Sequence, residues 1–388
     1  MRRARIAKKL GSAVLWLVVL ICLAISLLPH FLDARYYRGP ASNHFDGEHF
    51  VNPDGGDDSR ATPGGAGFLA RYLTGNDGRP AWPVRVPVTP TKPSPRVSGE
   101  RMLVTWIGHS SVLVQTRSLN ILTDPVWSDR AGPLGVGPRR VAPPGVRFDD
   151  LPRIDLVLVS HDHYDHLDLV TLKKLWDRDH PVIITSLGND SVIAQAGVPA
   201  KAIDWGGRVA VRAGVEVVVN RSHHWDSRWF SDRNRALWSS FIVRLPGGNV
   251  FFAGDTGAGD FKWADAAASY GPVRLALIPI GAFRFAAGQM AAGSHIGPVD
   301  ALEVYRRLGA ARAIAVHWGT FRLSYEGWDT PPRLLAAAER CTGQRGFDAV
   351  AIGRTLDIPA YTRPAVPAAV SRADLLRCLD THAVAALR

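Results

Sequence analysis

Ser160-His161-Asp162-His163-Tyr164-Asp165-His166 is the stretch of sequence that decides the fold, and it directly follows an apolar run at 154–159. Three imidazoles and two carboxylates within six residues are costly to bury unless they have partners. In an extended loop, His161 and His163 can point the same way toward one cation, and Asp165 and His166 can then turn toward a second. A solvated polar loop with chance histidines is the alternative, and this density of metal-capable side chains argues against it. The N/O ligand set favours zinc, and Mn²⁺ and Fe²⁺ are the alternatives.

Other apolar runs also end in a histidine or an aspartate. His223-His224 follow the run at 215–220, Asp255 closes the run that begins at Val250, and His317 follows the run at 313–316. Taken singly, Asp255 is explained as a turn aspartate and each histidine as a polar strand boundary. Because the carboxyl ends of strands in layered α/β folds meet at one crevice, we expect these side chains to join the histidine-rich loop. The residues alone leave His223 and His224 as equal candidates.

The number of candidate ligands predicts a centre with two metal ions. Two zinc ions with three or four protein ligands each and one shared carboxylate need about seven residues. We predict that His161, His163 and one histidine of the 223–224 pair hold one ion. Asp165, His166 and His317 hold the other, and Asp255 bridges them. A water between the ions, its pKa lowered toward neutrality, is the expected nucleophile. No GxSxG motif offers a serine nucleophile instead.

Apolar runs alternate with helical periodicity along residues 99–360, which we predict to be one domain. The early runs form hairpins, and helices at 169–176, 299–308 and 332–341 separate later ones. This order predicts an α/β protein with two mixed sheets and helices outside, a four-layer αββα sandwich. Residues 33–98 are polar and rich in Pro and Gly, and we expect them to wrap over the core. Residues 361–388 are a predicted helical tail, with an amphipathic helix from 368.

The N-terminus combines a basic segment, residues 1–10, with an uncharged apolar stretch at 11–28. Since about 20 apolar residues span a bilayer, we predict a single-pass transmembrane anchor over residues 11–32. A cleaved signal peptide competes with this interpretation, and the basic flank argues against a buried core helix. The positive-inside rule then places the body across the membrane from the cytoplasm. In a bacterium this is the periplasmic side of the inner membrane.

The charge and cysteine content of the chain argue against some classes of partner and of structural site. The net charge is +11, but no dense Lys/Arg run or RNA-binding signature occurs in the body, so nucleic acid is not expected. The three cysteines, Cys22, Cys341 and Cys378, exclude a disulfide framework and a cysteine-built zinc finger. A Cys341–Cys378 bridge can form if the domain is exported, but we expect two free buried thiols. A homodimer is left open.

Several segments together carry a resemblance to known hydrolases. The HxHxDH loop after a strand is the signature of the metallo-β-lactamase superfamily, and alone it indicates only that superfamily. From about Asn43 to Pro359 the chain also resembles the phospholipase D family that hydrolyses N-acyl-phosphatidylethanolamine. The segments that carry this resemblance are Trp106-Ile107-Gly108-His109-Ser110, Leu122-Thr123-Asp124-Pro125-Val126-Trp127, Gly137-Pro138-Arg139-Arg140, His224-Trp225, Phe251-Phe252-Ala253-Gly254-Asp255-Thr256-Gly257 and His317-Trp318-Gly319-Thr320-Phe321.

The resemblance implies the same ligand set and selects His224 over His223, because the family's ligand directly precedes a tryptophan. It adds His295 as a histidine that supports the ligands or contacts substrate. The expected catalytic residues are therefore Asp165, Asp255 and His295. The chain departs from the family at Asp162, where the family often has Asn, and in the Ala/Gly-rich segment at 281–293. The N-terminal anchor is not a feature of the animal enzymes.

The resemblance implies a phospholipid as substrate. A phosphodiesterase of phospholipase D type would release an N-acylethanolamine and leave phosphatidic acid. Alternatives on the same fold are a lactonase, a small-molecule phosphodiesterase or esterase, and a β-lactamase, which the lack of a cysteine ligand disfavours. An incomplete ligand set would favour a non-catalytic metal-binding or envelope protein, whereas here the set is complete.

Overall fold

The computed structural model describes residues 2–32, 35–56, 79–229, 232–285, 289–365 and 370–387, without the side chains of 2–7, 28–32 and 134. Parts of the predicted wrapping segment 33–98, of the 281–293 segment and of the helical tail lie outside these ranges.

Strands of two to seven residues account for most of the regular structure in the core. In chain order they are β1 (Met102–Gly108), β2 (Ser111–Thr116), β3 (Leu119–Thr123), β4 (Leu156–Val159), β5 (Val182–Ser186), β6 (Lys201–Ile203), β7 (Arg208–Arg212), β8 (Val215–Asn220), β9 (Ser240–Arg244), β10 (Asn249–Phe252), β11 (Val273–Pro279), β12 (Arg312–Val316), β13 (Phe347–Asp348) and β14 (Thr355–Ile358).

Helices precede, separate and follow these strands. They are α1 (Arg2–Leu32), α2 (Leu169–Asp179), α3 (Asn189–Ile193), α4 (Lys262–Ser269), α5 (Pro298–Leu308), α6 (Thr330–Thr342), α7 (Arg372–Leu379) and α8 (His382–Ala385).

The strands form two seven-stranded sheets with the same plan. Their orders are β14-β1-β2-β3-β4-β5-β6 and β13-β12-β11-β10-β9-β8-β7. Each sheet has an antiparallel half and a parallel half, with β3 to β6 parallel in the first and β10 to β13 parallel in the second. The central strands read as continuous apolar runs because both of their faces are covered. All four residues of β4 and all seven of β11 are buried.

Three apolar layers hold the sheets and helices together. Val104, Phe252 and Leu277 belong to the layer between the sheets. Leu172 of α2 packs on the outer face of the first sheet, and Leu302 of α5 packs on the outer face of the second. The predicted four-layer αββα sandwich is therefore confirmed.

The elements absent from the sequence prediction are the eight-residue helix α4 and several strands that are short or lie at sheet edges. Strand β7 alternates between exposed and buried residues at the end of its sheet, and β13 has only two residues. The tail also differs from the single helix expected from 368. Its described part forms α7 and α8, because Asp380 leaves helical geometry and the Thr381 side chain caps the next helix by accepting from the Val384 N–H.

The expectation of free thiols at Cys341 and Cys378 is wrong. The two residues form a disulfide that ties α6 to α7, with Cα atoms 6.0 Å apart. Leu375 and Leu379 of α7 are buried in the same apolar cluster as Leu334 and Leu335 of α6, which brings the sulfur atoms together.

The N-terminal helix α1 contains an apolar stretch of 20 residues, Lys8–Leu27, with a mean hydropathy of 2.6. None of this stretch is buried against the rest of the described chain. The alternative of a buried core helix is therefore wrong. By length and composition this helix can cross a membrane, a property that it shares with signal sequences.

Candidate metal centre

The histidine-rich loop joins β4 to α2 and reverses direction within it. The N–H groups of His166 and Leu167 both donate to the His163 carbonyl, at 3.0 and 2.9 Å. Asp168 then caps α2 by accepting from the N–H groups of Val170 and Thr171. This tight turn separates the first pair of candidate ligands, His161 and His163, from the second pair.

Three histidines converge as predicted for the first ion. His163 Nδ1 lies 2.8 Å from His161 Nε2 and 3.4 Å from His224 Nε2. Metal–nitrogen bonds of 2.0–2.1 Å in tetrahedral geometry place ligand atoms about 3.3 Å apart. The separations fit a shared cation, and His224 comes from the loop after β8.

The remaining predicted ligands form the second group. Asp165 Oδ2 lies 3.5 Å from the Nε2 atoms of both His166 and His317. Asp255 Oδ2 lies 3.2 Å from His166 Nε2, 2.9 Å from His317 Nε2 and 4.0 Å from His224 Nε2. Asp255, in the loop that follows β10, thus faces histidines of both groups.

Outer partners bind the Nδ1 atoms of three rings, so that Nε2 is the nitrogen that faces the centre. Ser160 donates its hydroxyl to Asp124 at 2.6 Å, so its oxygen accepts from His161 Nδ1 at 2.9 Å. Asp124 also accepts from His166 Nδ1 at 2.6 Å, and the Ser294 carbonyl accepts from His224 Nδ1 at 2.8 Å. Such outer partners orient metal-binding histidines and fix their tautomer.

Several atoms that point into the centre have no hydrogen-bond partner in the described part of the chain. They include His166 Nε2, His317 Nε2 and Asp255 Oδ1, all buried. Buried polar atoms without partners are rare unless a ligand satisfies them. The donor set and these atoms together fit divalent metal ions, and the cluster is able to bind metal.

The carboxylates and histidines of the second group shift each other's pKa toward the charged forms. Burial disfavours charge on His317, but Asp255 and Asp165 outweigh it and raise its pKa to about 9. Burial likewise opposes ionisation of Asp255, yet the charges of His166 and His317 hold its pKa well below the usual range. The carboxylates are thus ionised opposite protonated imidazoles, and a metal ion must displace those protons.

His295 lies at the edge of the centre. Its Nδ1 is 3.7 Å from Asp255 Oδ2, and its ring is 5.0 Å from that of His224 and 5.6 Å from that of His317. Burial lowers the pKa of His295 to about 4, so the ring is neutral at neutral pH. The structure therefore brings all eight predicted site residues together.

Two further residues at the centre had no predicted role. His109 Nε2 lies 2.9 Å from Asp165 Oδ2, and burial lowers the pKa of His109 to about 3, which makes the neutral ring a hydrogen-bond donor to that carboxylate. Asp124 directly follows β3, so the strand-end argument could have found it. His223 points elsewhere, toward Asp54 and Gly56.

The fold and the ligand set are those of a metal-dependent hydrolase of the metallo-β-lactamase superfamily. The beta-lactamase superfamily domain matches residues 119–318, over half of the chain, and the chain belongs to this superfamily. Within it, the chain belongs with the N-acyl-phosphatidylethanolamine-hydrolysing phospholipase D proteins. The Caenorhabditis elegans protein N-acyl-phosphatidylethanolamine-hydrolyzing phospholipase D 1 is 33% identical over 243 residues, which are 60% of this chain and 68% of the relative.

Other relatives extend this comparison. An uncharacterized protein of Mycobacterium tuberculosis is 38% identical over 252 residues, 63% of this chain, and the match spans 66% of the relative's length. A metal-dependent hydrolase of Pyrobaculum islandicum is 27% identical to this chain. The match covers 57% of this chain and 86% of the length of the relative. The solved structure of Igni18, a metallo hydrolase from Ignicoccus hospitalis, has the same fold, with a TM-score of 0.51 and 19% sequence identity. The superposition covers 67% of this chain and 100% of the Igni18 chain.

Proposed function

We propose that this chain is a two-zinc phosphodiesterase of phospholipase D type that acts on N-acyl-phosphatidylethanolamine or a similar phospholipid. The observation that carries the proposal is the pair of ligand groups that share Asp255. Support for the substrate comes from the 33% identity to the C. elegans protein named for that activity.

The protein side of the mechanism follows from the geometry. When bound, two divalent ions would supply an activated water and would stabilise negative charge on a phosphate group. Asp255 holds the two ligand groups at a fixed separation. Asp165 is oriented by the hydrogen bond from His109. Neutral His295 stands beside them, where it can hydrogen bond the phosphate or the departing alcohol.

The surface beside the centre suits a phospholipid. A cleft there is lined by Tyr164 of the ligand loop, by three arginines and by two aspartates: Arg130, Arg139, Arg228, Asp129 and Asp168. Arg130 and Arg139 are exposed and are cross-strand neighbours in an isolated β-bridge. Like charges paired in this way repel each other, and a bound phosphate would relieve this repulsion. Phe285 is 40% exposed with its ring 6.2 Å from that of His295, and it adds an apolar contact at the rim.

The disulfide bears on the location of the enzyme. Structural disulfides persist mainly in oxidising compartments, and Cys341–Cys378 lies in the body of the protein, beyond α1. With α1 as an uncleaved anchor, the proposal places the body on the periplasmic face of a bacterial inner membrane. A homodimer stays a prediction.

A substrate panel tests the proposed activity. We expect the zinc-loaded protein to release N-acylethanolamine and phosphatidic acid from N-acyl-phosphatidylethanolamine faster than it hydrolyses bis(p-nitrophenyl) phosphate, homoserine lactones or a cephalosporin. The Asp255→Asn variant is the blank. Lactone turnover without N-acylethanolamine release would establish the alternative, a lactonase, and would refute the lipid substrate.

A further inference from the structure

A short N-terminal segment contacts the loop that carries His224. Asn52 Nδ2 donates to the His224 carbonyl at 2.8 Å, and Asn52 Oδ1 accepts from Trp238 Nε1 at 3.1 Å. Both carboxylate oxygens of Asp54 lie 3.1 Å from His223 Nδ1. The Gly56 carbonyl lies 2.9 Å from His223 Nε2. We call Asn52, Asp54 and Gly56 the clasp.

The clasp occupies both nitrogens of the His223 ring. Nδ1 faces the Asp54 carboxylate and Nε2 faces the Gly56 carbonyl, so both ring nitrogens of His223 point toward the clasp and neither is placed to bind an ion in the centre. In His224, Nδ1 faces the Ser294 carbonyl, while Nε2 faces His163 and Asp255 in the centre.

The Arg221 guanidinium and the backbone of Asp260 hold Asp54 in place. Arg221 Nη2 lies 2.7 Å from both Asp54 Oδ2 and Asp260 Oδ1, and the Asp260 N–H donates to Asp54 Oδ2 at 2.9 Å. The side chains of Asp54 and His223 are only 7% and 4% exposed. A Cβ at Gly259, where φ is +50°, would lie 2.4 Å from Asp54 Oδ2 and 2.6 Å from His223 Nδ1. This close packing leaves no room for a side chain there.

The segment that carries the clasp is itself anchored on the domain. Phe45 and Phe50 are buried against Leu237 and Trp238. The Phe50 N–H donates to the Asn234 carbonyl at 2.7 Å. The clasp therefore has a rigid support from which to hold the 223–224 loop.

We propose that the clasp decides which histidine of the 223–224 pair binds metal and holds His224 in place for the ion that it shares with His161 and His163. Asp54 acts through His223 and Asn52 through the His224 backbone, so both are positioning residues. The inference rests on the two-ion centre of the proposed function, but it concerns metal binding rather than substrate.

The test is a zinc titration of the full-length protein in detergent against a chromophoric chelator. In Asp54→Ala we expect the ion of the three-histidine group to bind about 10–100-fold more weakly, as for other losses of outer-sphere support. The second ion should keep its affinity, and X-ray absorption of the retained ion should show its carboxylate-rich environment. Asp54→Asn keeps an oxygen acceptor for His223 Nδ1 and should restore most of the affinity.

Asp260→Ala is the matched control, because Asp260 shares Arg221 with Asp54 but does not contact His223; its metal affinities should equal those of the wild type. Unchanged affinities in Asp54→Ala, or equal weakening of both ions, would overturn the inference. If circular dichroism shows that Asp54→Ala does not fold, Asn52→Ala decides by the same criteria. A wild-type protein that binds fewer than two ions would instead refute the proposed function.

Discussion

Asp255 is the residue that the two halves of the proposed metal centre share. It faces His166 and His317 directly and lies 4.0 Å from His224. We predict that Asp255→Asn lowers metal affinity and hydrolysis at least about 100-fold, since even changes behind the ligands cost 10–100-fold. Metal analysis and turnover of a phosphodiester check this. The exposed Asp265→Asn is the control, and two retained ions with full activity in Asp255→Asn would disprove the bridging role.

We predict that protonation of His317 makes metal binding pH-dependent. Its pKa is raised to about 9, so below that pH a proton competes with the ion for Nε2. We expect apparent zinc affinity to rise about tenfold per pH unit between pH 7 and 9 for each proton displaced, and to level off above pH 9. Chelator competition at fixed ionic strength measures this. An affinity independent of pH would show that the site does not hold this proton.

The seven candidate ligands that converge on the centre could be predicted from the sequence, and among their outer supports Asp124 shows the same pattern. Each candidate ligand carries an N or O donor at the end of an apolar run, a pattern visible along the chain. His109 has no such signal, because its position beside Asp165 depends on the turn between β1 and β2, where it adopts a positive φ of 54°. The choice between His223 and His224 likewise depends on Asp54, which lies 169 residues earlier.

At the scale of elements, α7 depends on a covalent tie to α6. The Cys341–Cys378 bridge closes a sequence separation of 37 residues, and a loop of this size contributes about 3–4 kcal/mol in the chain-entropy account. We predict that Cys378→Ser lowers stability by this order and speeds hydrogen exchange in α7, while metal content stays unchanged. Cys22→Ser is the control, because Cys22 is free and exposed. Equal exchange in both variants would contradict the prediction.

Elements with strong apolar periodicity could be predicted, and edge elements could not. Strands such as β4 and β11 are buried on both faces and read as uninterrupted apolar runs. Strand β14 pairs with β1 through non-local hydrogen bonds across more than 200 residues of sequence and has a single buried residue. Its pairing rather than its own composition makes it a strand.

At the scale of the whole molecule, the fate of α1 distinguishes an uncleaved membrane anchor from a cleaved signal peptide. An uncleaved anchor predicts that the protein resists alkaline extraction from membranes and that peptides from residues 8–27 are recovered from the purified chain. Thiol trapping in intact cells should find Cys341 and Cys378 oxidised, because the body lies on the oxidising side. Soluble protein whose first residue lies after the apolar stretch would show a cleaved signal instead.

The central claim is that one chain holds two metal ions in the ligand groups joined by Asp255. Anomalous diffraction at the zinc edge from crystals of the zinc-loaded protein tests it most directly. We predict two peaks about 3.5–4 Å apart, one among His161, His163 and His224 and the other among Asp165, His166 and His317, with Asp255 between them. A single peak, or a peak bound by His223, would contradict the account.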